Sequence, residues 1–253
     1  MGQPGAGDDG MPGAAVLKEK ITDSPDKENT VKASKDNSDE SKNKKVERPL
    51  HSRHMLQHKW AFWFLKGDRT KNWEDCLKQV VVIDSVELFW RFYIQIMPAS
   101  CLSFGSDYYL FKEGVKPMWE DPHNVNGGRW LVVVDKQQRH TKLDELWLEL
   151  MMAVIGEQFK GNGKYICGAA VNLRQKGDKV ALWTSDASLD DVNRKIGITV
   201  KNKLGMEDNI RYEVHKDASA RTGSMVRPKI VLSKENRDNT SSKEKKSEVP
   251  TTP

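Results

Sequence analysis

The sequence predicts an α+β domain in which helices pack on one face of a curved, largely antiparallel sheet. Three observations carry that expectation. All 20 aromatic residues fall between Trp60 and Tyr212, which places one core in that interval. Strand-like and helical runs alternate there at irregular spacing, unlike the regular repeat of a βαβ protein. Residues 166–184 read as two strands joined by a short turn, and a hairpin makes its strands antiparallel.

The elements follow in order. "KWAFWFL" (59–65) is aromatic-rich and strand-like, and the charged "KGDRTKN" after it reads as a turn. "DSVELFWRFYIQI" (84–96) has a helical pattern, with Asp84 and Glu87 spaced as a capping pair. "RWLVVVD" (129–135) is a buried strand, and "TKLDELWLELMMAVIGE" (141–157) a helix whose core face is Leu143, Leu146, Trp147, Leu150 and Val154. "ICGAAVNLRQKGDKVALWT" is the hairpin, turning at Lys176-Gly177-Asp178. "SLDDVNRKIGITVKNKLG" (188–205) fits an amphipathic helix stopped by Gly205, although Gly197 and the β-branched residues after it weaken the helical preference. "IRYEVH" (210–215) and "KIVL" (229–232) are short strands.

The flanks have a different composition. Residues 1–50 carry no aromatic and 9 Lys/Arg against 10 Asp/Glu. Such a segment buries too little apolar surface to offset the entropy of ordering. The expected organisation is a disordered arm over 1–50, one folded domain over 51–232, and a disordered tail over 233–253. The formal charge of +5 favours an anionic partner without demanding one. Cys76, Cys101 and Cys167 form neither a disulfide framework nor a metal pattern, which suits a reducing compartment. No apolar run reaches transmembrane length, and the start lacks a hydrophobic signal region. Ala6 stands where N-myristoylation needs Ser or Thr.

Catalytic patterns are missing. There is no phosphate-binding glycine loop, no dinucleotide fingerprint, no spaced metal set and no recognisable nucleophile setting. Glu120 and Asp121 are adjacent, whereas a glycosidase pair must face each other across its substrate. The pattern is that of a binder.

Three places offer binding chemistry. Of the eight tryptophans, Trp60, Trp63, Trp90, Trp130 and Trp147 lie in periodic elements and read as packing residues. Trp73 and Trp119 lie in polar, loop-like segments. They either clamp the core singly or close on the two faces of one flat ring, best a cationic one, because the indole face is electron-rich. Glu120, next to Trp119, is acceptor-only when ionised and matches the paired N1–H and N2–H donors of guanine; the alternative is that Glu120 and Asp121 are simply solvated. In the hairpin, Asn172 and Arg174 share one side, and Lys179, Ala181 and Trp183 share one side. If the turn register makes those sides coincide, they form a basic, partly aromatic face to which Arg129 adds charge, suited to phosphates trailing an aromatic base. Separately, Val86, Trp90, Leu148 and Met152 exceed what one buried helix stripe needs. They either pack between helices or form a docking patch for a partner's amphipathic helix.

The runs "MWED", "GGRWLVVVDKQQR", "DELWLELMMAVIGE", "ICGAAVNLRQKGDKVALWT" and "RTGSMVRPK" identify a resemblance. Over roughly residues 54–224 the sequence resembles the eukaryotic translation initiation factor 4E family, the messenger RNA cap-binding proteins. The resemblance implies a curved eight-stranded sheet with three long helices on its convex face and the cap on the concave side, bound and not transformed, with no cofactor and no metal. Trp73 and Trp119 match the rings that sandwich 7-methylguanine, Glu120 the carboxylate that reads N1 and N2, and Trp183 the residue near the N7 methyl. Arg129, Arg174 and Lys179 match the phosphate-handling cations. On the convex side, "HMLQHKW" matches "HPLQxxW" with Met55 at the proline position. His54, Leu56, Val86, Trp90, Leu148, Glu149 and Met152 match the surface that takes the "YxxxxLΦ" helix of the scaffold factor 4G or of 4E-binding proteins, in a heteromeric complex that contains one copy of the chain. Ser224 matches a phosphorylation site, where a phosphate would add about −1.5 to −2 charges. The implied location is the cytoplasm, with the nucleus or ribonucleoprotein granules as further sites. Val125 and Asn126 depart from the usual basic run and a long polar ending follows Ser224, so a promoter of initiation and a cap-binding repressor both remain open.

Overall fold

The computed structural model describes residues 53–68, 70–219 and 227–233. The expected N-terminal arm, almost all of the expected tail, and Ser224 lie outside the described residues. An eight-stranded sheet runs in the order β2-β1-β3-β5-β6-β4-β7-β8, with every neighbouring pair antiparallel. The chain forms β1 (Met55–Leu65), a one-turn α1 (Trp73–Cys76), β2 (Leu77–Ser85), α2 (Val86–Tyr93), β3 (Asp107–Lys112) and β4 (Gly128–Val134). It continues through α3 (Asp144–Ile155), the hairpin β5 (Ile166–Asn172) and β6 (Asp178–Thr184), α4 (Asp190–Lys203), β7 (Ile210–Val214), α5 (His215–Ser219) and β8 (Ile230–Leu232).

Helices α2, α3 and α4 cover the convex face. Phe62 of β1 meets Phe92 of α2 edge-on at 4.7 Å between ring centres. Trp130 of β4 donates its indole N–H to the Asn193 carbonyl of α4 at 2.9 Å. Trp60, Trp130 and Trp147 are buried, in keeping with their place in periodic elements, and the expected core face of α3 (Leu143, Leu146, Trp147, Leu150, Val154) is buried throughout. Trp90 differs: it stays exposed on α2. Gly197, which weakens the helical preference of α4, has a packing reason. A Cβ there would lie 2.3 Å from the Trp130 ring. Lys201 is buried because its ammonium donates to the carbonyls of Asp208, Leu232 and Ser233, tying β8 to α4.

Two expectations need correction. Asp84 does not cap a helix with Glu87. Pairing with β1 carries β2 through to Ser85 (Met55↔Ser85), and α2 starts at Val86 behind an extended Ser85 and ends at Tyr93. Strands β2 and β3 have no counterpart in the sequence reading. In β3, "DYYLFK", the first five residues are buried, so both faces are covered and no alternation marks it.

Gly197→Ala sets a gain in helix propensity of about 1 kcal/mol against overpacking of a buried ring at about 1–3 kcal/mol. The clash offsets or exceeds the gain, and urea unfolding is expected to show a net loss of up to about 2 kcal/mol.

Candidate functional site

Directly opposed residues of antiparallel strands share a face, so the register writes three rows across the concave side. The first is Ala61, Phe111, Gly168, Trp183, Arg129, Glu213; the second is Trp63, Tyr109, Ala170, Ala181, Leu131, Arg211; the third is Leu65, Asp107, Asn172, Lys179, Val133. The question left open by the hairpin is thereby answered. Asn172 pairs with Lys179, so the two sides coincide and bring Lys179 and Trp183 onto one face with Arg129. Gly168 is needed in the first row because a Cβ there would lie 2.4 Å from the Phe111 ring.

Over this floor lies a cleft of about 680 Å³, lined by Trp73, Trp119, Glu120, Arg129, Arg174, Lys179 and Trp183 together with Asn72, Glu74, Asp107, Tyr109, Pro117, Met118 and Asn172. Its size suits a single small ligand. Trp73 is not in a loop but opens the one-turn α1. Trp73 and Trp119 remain 40% and 39% exposed, and both line the cleft.

Asp121 parts company with Glu120. Glu120 is exposed in the cleft, whereas Asp121 is buried and organises the loop that carries Trp119. Its carboxylate accepts from the backbone N–H of Lys116 (3.0 Å) and of His123 (2.9 Å). Burial would raise its pKa, but these bonds outweigh it and hold it below the usual value. The fully buried Asn124 donates its amide to the carbonyls of Lys116 and Met118.

The floor is cationic, and most of its charges are fixed in place. Arg174 makes a two-pronged bond to the buried Asp107, Nη2 to Oδ2 at 2.9 Å. Burial would lower its pKa, and the Asp107 pair more than reverses that. Glu213 accepts from Arg129 Nη2 at 3.1 Å and from Arg211 Nε at 3.0 Å. Lys179 has no hydrogen-bond or ion-pair partner among the described residues. Burial and the nearby Arg129 push its pKa down, with Glu213 opposing. Arg129 Nε and Trp183 Nε1 are buried donors without a partner among the described residues. An anion here would meet one unpaired ammonium and the exposed edges of the Arg129 and Arg174 guanidiniums.

At the deep end, the Trp183 ring lies 5.3 Å from Phe111, edge-on, and 4.2 Å from the His215 ring. Burial, helped by Arg129, drives the His215 pKa from 6.5 to about 3, so its ring is neutral.

On the helical side, Val86 and Trp90 are exposed, Leu56, Leu148, Glu149 and Met152 are half-buried, and Met55 is 62% exposed. His54, just before β1, is exposed. The sequence reading did not find Asp107, Asp121, Asn124, Arg211, Glu213 or His215. For Arg211 and Glu213 the signal exists, since alternation in "IRYEV" puts both on one side. Asp107 belongs to a strand without alternation. Among the described residues no group of three or more His, Cys, Asp or Glu could hold a metal ion, and no helix is long and apolar enough to cross a membrane.

An open antiparallel sheet with helices on its convex side and a tryptophan-walled, cation-floored cleft on the other is the architecture of a protein that binds a flat ring carrying negative charge. The chain belongs to the eukaryotic initiation factor 4E family, whose sequence profile matches residues 55–229. It is 63% identical over 188 residues to eukaryotic translation initiation factor 4E-3 of Caenorhabditis elegans, covering 72% of this chain and 75% of that one. Among solved structures it resembles Ascaris suum eIF4E-3 in complex with the m7G cap, at TM-score 0.67 and 64% identity over 72% of this chain and 98% of that one. It also resembles C. elegans eIF4E-3 in complex with the 4E-binding protein Mextli and a cap analogue, at TM-score 0.66 and 60% identity over 72% and 100%.

A buried neutral His215 must gain a proton when the chain unfolds in acid. Its folded pKa lies below its unfolded one, so its contribution is present above pH 6.5 and is lost as pH falls from 6.5 toward about 3. Between pH 7 and pH 5 this removes about 2 kcal/mol of stability. Denaturant unfolding of His215→Phe is expected to show a pH dependence shallower than the wild type by that amount.

Proposed function

We propose that the protein binds the 7-methylguanosine cap of messenger RNA. What carries this reading is the convergence of two exposed tryptophans and an exposed glutamate over a cationic floor in one cleft. Trp73 and Trp119 stack on the base, and its positive charge strengthens the contact with both indoles. Glu120 accepts from N1–H and N2–H, and the Trp119 backbone N–H, which has no partner among the described residues, meets O6. Trp183 lies toward the N7 methyl. Lys179 and Arg129 take phosphate oxygens, and Arg174 is already aimed by Asp107. The protein acts in the cytoplasm, binds and releases the cap unchanged, and uses no cofactor.

On the opposite side, Val86 and Trp90, with Leu148 and Met152, take the YxxxxLΦ helix of a partner, and Leu56, Glu149 and His54 flank it. The first reading is recruitment of a 4G-type scaffold to capped messages for translation initiation. The second is a cap-binding repressor working through 4E-binding proteins; the 62% exposed Met55, where the family's usual proline would stiffen the chain, favours changed partner choice.

Tryptophan fluorescence titration of the full chain tests the pocket. Binding of 7-methyl-GTP is expected to exceed that of GTP. Trp119→Ala removes a stacking contact worth about 1–3 kcal/mol, and Glu120→Ala removes charge-assisted bonds of about 1.5–3 kcal/mol, so each lowers affinity about tenfold or more. Equal, salt-sensitive binding of both nucleotides would reduce the site to a phosphate binder. On the convex side, Trp90→Ala is expected to abolish calorimetric binding of a YxxxxLΦ peptide while leaving 7-methyl-GTP affinity unchanged.

A further inference from the structure

We propose that the turn carrying Phe104 is a second nucleotide platform, on which a base of the RNA that follows the cap stacks while its phosphates meet Lys136 and the lysines of the 66–71 segment. The inference rests on the cap reading for its direction along the RNA, and on a separate set of contacts for its location.

Phe104 is 44% exposed, although the backbone beneath it is tightly fixed. The Gly67 N–H donates to Ser106 Oγ at 3.0 Å, and the Ser103 and Ser106 hydroxyls are bonded at 2.9 Å. A Cβ on Gly67 would fall 2.6 Å from the Phe104 carbonyl oxygen, so the end of β1 is pressed against this turn. The turn is also laced to the cation-bearing hairpin: the Gly105 N–H donates to the Leu173 carbonyl at 2.9 Å, and the Leu173 N–H donates back to Ser106 at 3.1 Å. Leu173 immediately precedes Arg174. Over one face of the Phe104 ring, the buried Arg139 guanidinium lies 4.4 Å from the ring centre, held by its own two-pronged bond to Asp178, which leaves the other face for a base. The Lys136 ammonium is 5.9 Å from the ring centre.

A small cavity of about 160 Å³ lies beside this turn. Phe104 and Trp73 both line it, with Lys66, Lys71 and Asp68. Trp73 is therefore a wall common to the two spaces. The Asp68 carboxylate is already engaged by the N–H and hydroxyl of Thr70. An exposed ring on a rigid mount, bordered by cations and separated from the main cleft by the shared Trp73 wall, has the makeup of a single-strand platform; stacking there tolerates any base. The net positive surround selects a polyanion over an apolar peptide.

The test compares 7-methyl-GTP, a capped RNA decamer and the same decamer uncapped, by fluorescence titration of the full chain at moderate salt. Wild type is expected to bind the capped decamer about 5- to 20-fold more tightly than 7-methyl-GTP. Phe104→Ala erases that gain and leaves 7-methyl-GTP affinity unchanged, Phe104→Trp keeps it, and Lys136→Glu reduces it. A wild-type decamer affinity equal to that of 7-methyl-GTP, or a gain that survives Phe104→Ala, overturns the platform. Loss of 7-methyl-GTP binding alone would overturn the cap reading, whereas uncapped decamer binding that still depends on Phe104 would uphold the platform on its own.

Discussion

The carboxylate of Asp178 has no exposed surface, and much of the cleft depends on what it holds. It accepts two bonds from Arg139 at 2.6 Å and a third from the Arg174 backbone N–H at 3.0 Å. A buried carboxylate survives only when paired and hydrogen-bonded. That requirement fixes the turn between β5 and β6, hence the Asn172↔Lys179 register, hence the face on which Lys179 and Trp183 emerge. A slip of one residue would send both to the helical side.

The two sides of the sheet are built on opposite plans. The convex side buries large rings under helices, and close approaches such as Gly197 on Trp130 leave no space between helix and sheet. The concave side carries a smaller apolar cluster around Tyr109, Phe111, Leu131 and Trp183. Beside that cluster, arginines and carboxylates neutralise one another in pairs. Asp107 with Arg174, and Glu213 with Arg129 and Arg211, keep three guanidiniums oriented at low desolvation cost, while Lys179 has no partner among the described residues. Such preorganised charge stabilises an incoming anion without rearrangement.

How much of this was legible in the sequence follows from which signals are local. Periodicity found β1, β4, the hairpin and the helices α3 and α4, because each carries one apolar face or one buried run. The three-row floor was only half legible. Each strand announced its own alternation, but the register that aligns Arg129, Lys179 and Trp183 is a non-local fact. The resemblance singled out the residues lining the cleft, yet not the carboxylates that aim them, since a buried Asp107 in an unalternating strand looks like any turn aspartate. Asp121 is the clearest divergence. Next to Glu120 it has the same chemistry in the sequence, and only folding separates an exposed acceptor from a loop brace.

That brace makes the two aromatic walls unequal. The Trp119 loop is bonded to itself through Asp121 and Asn124. The Trp73 wall rests on four helical residues whose N-cap, Asn72, makes no side-chain bond to them. A helix that short has little stability of its own. The entropy of ordering the site is therefore concentrated on one side: the Trp119 wall is the anvil, and any closing motion, with the residence time it governs, belongs to the Trp73 wall.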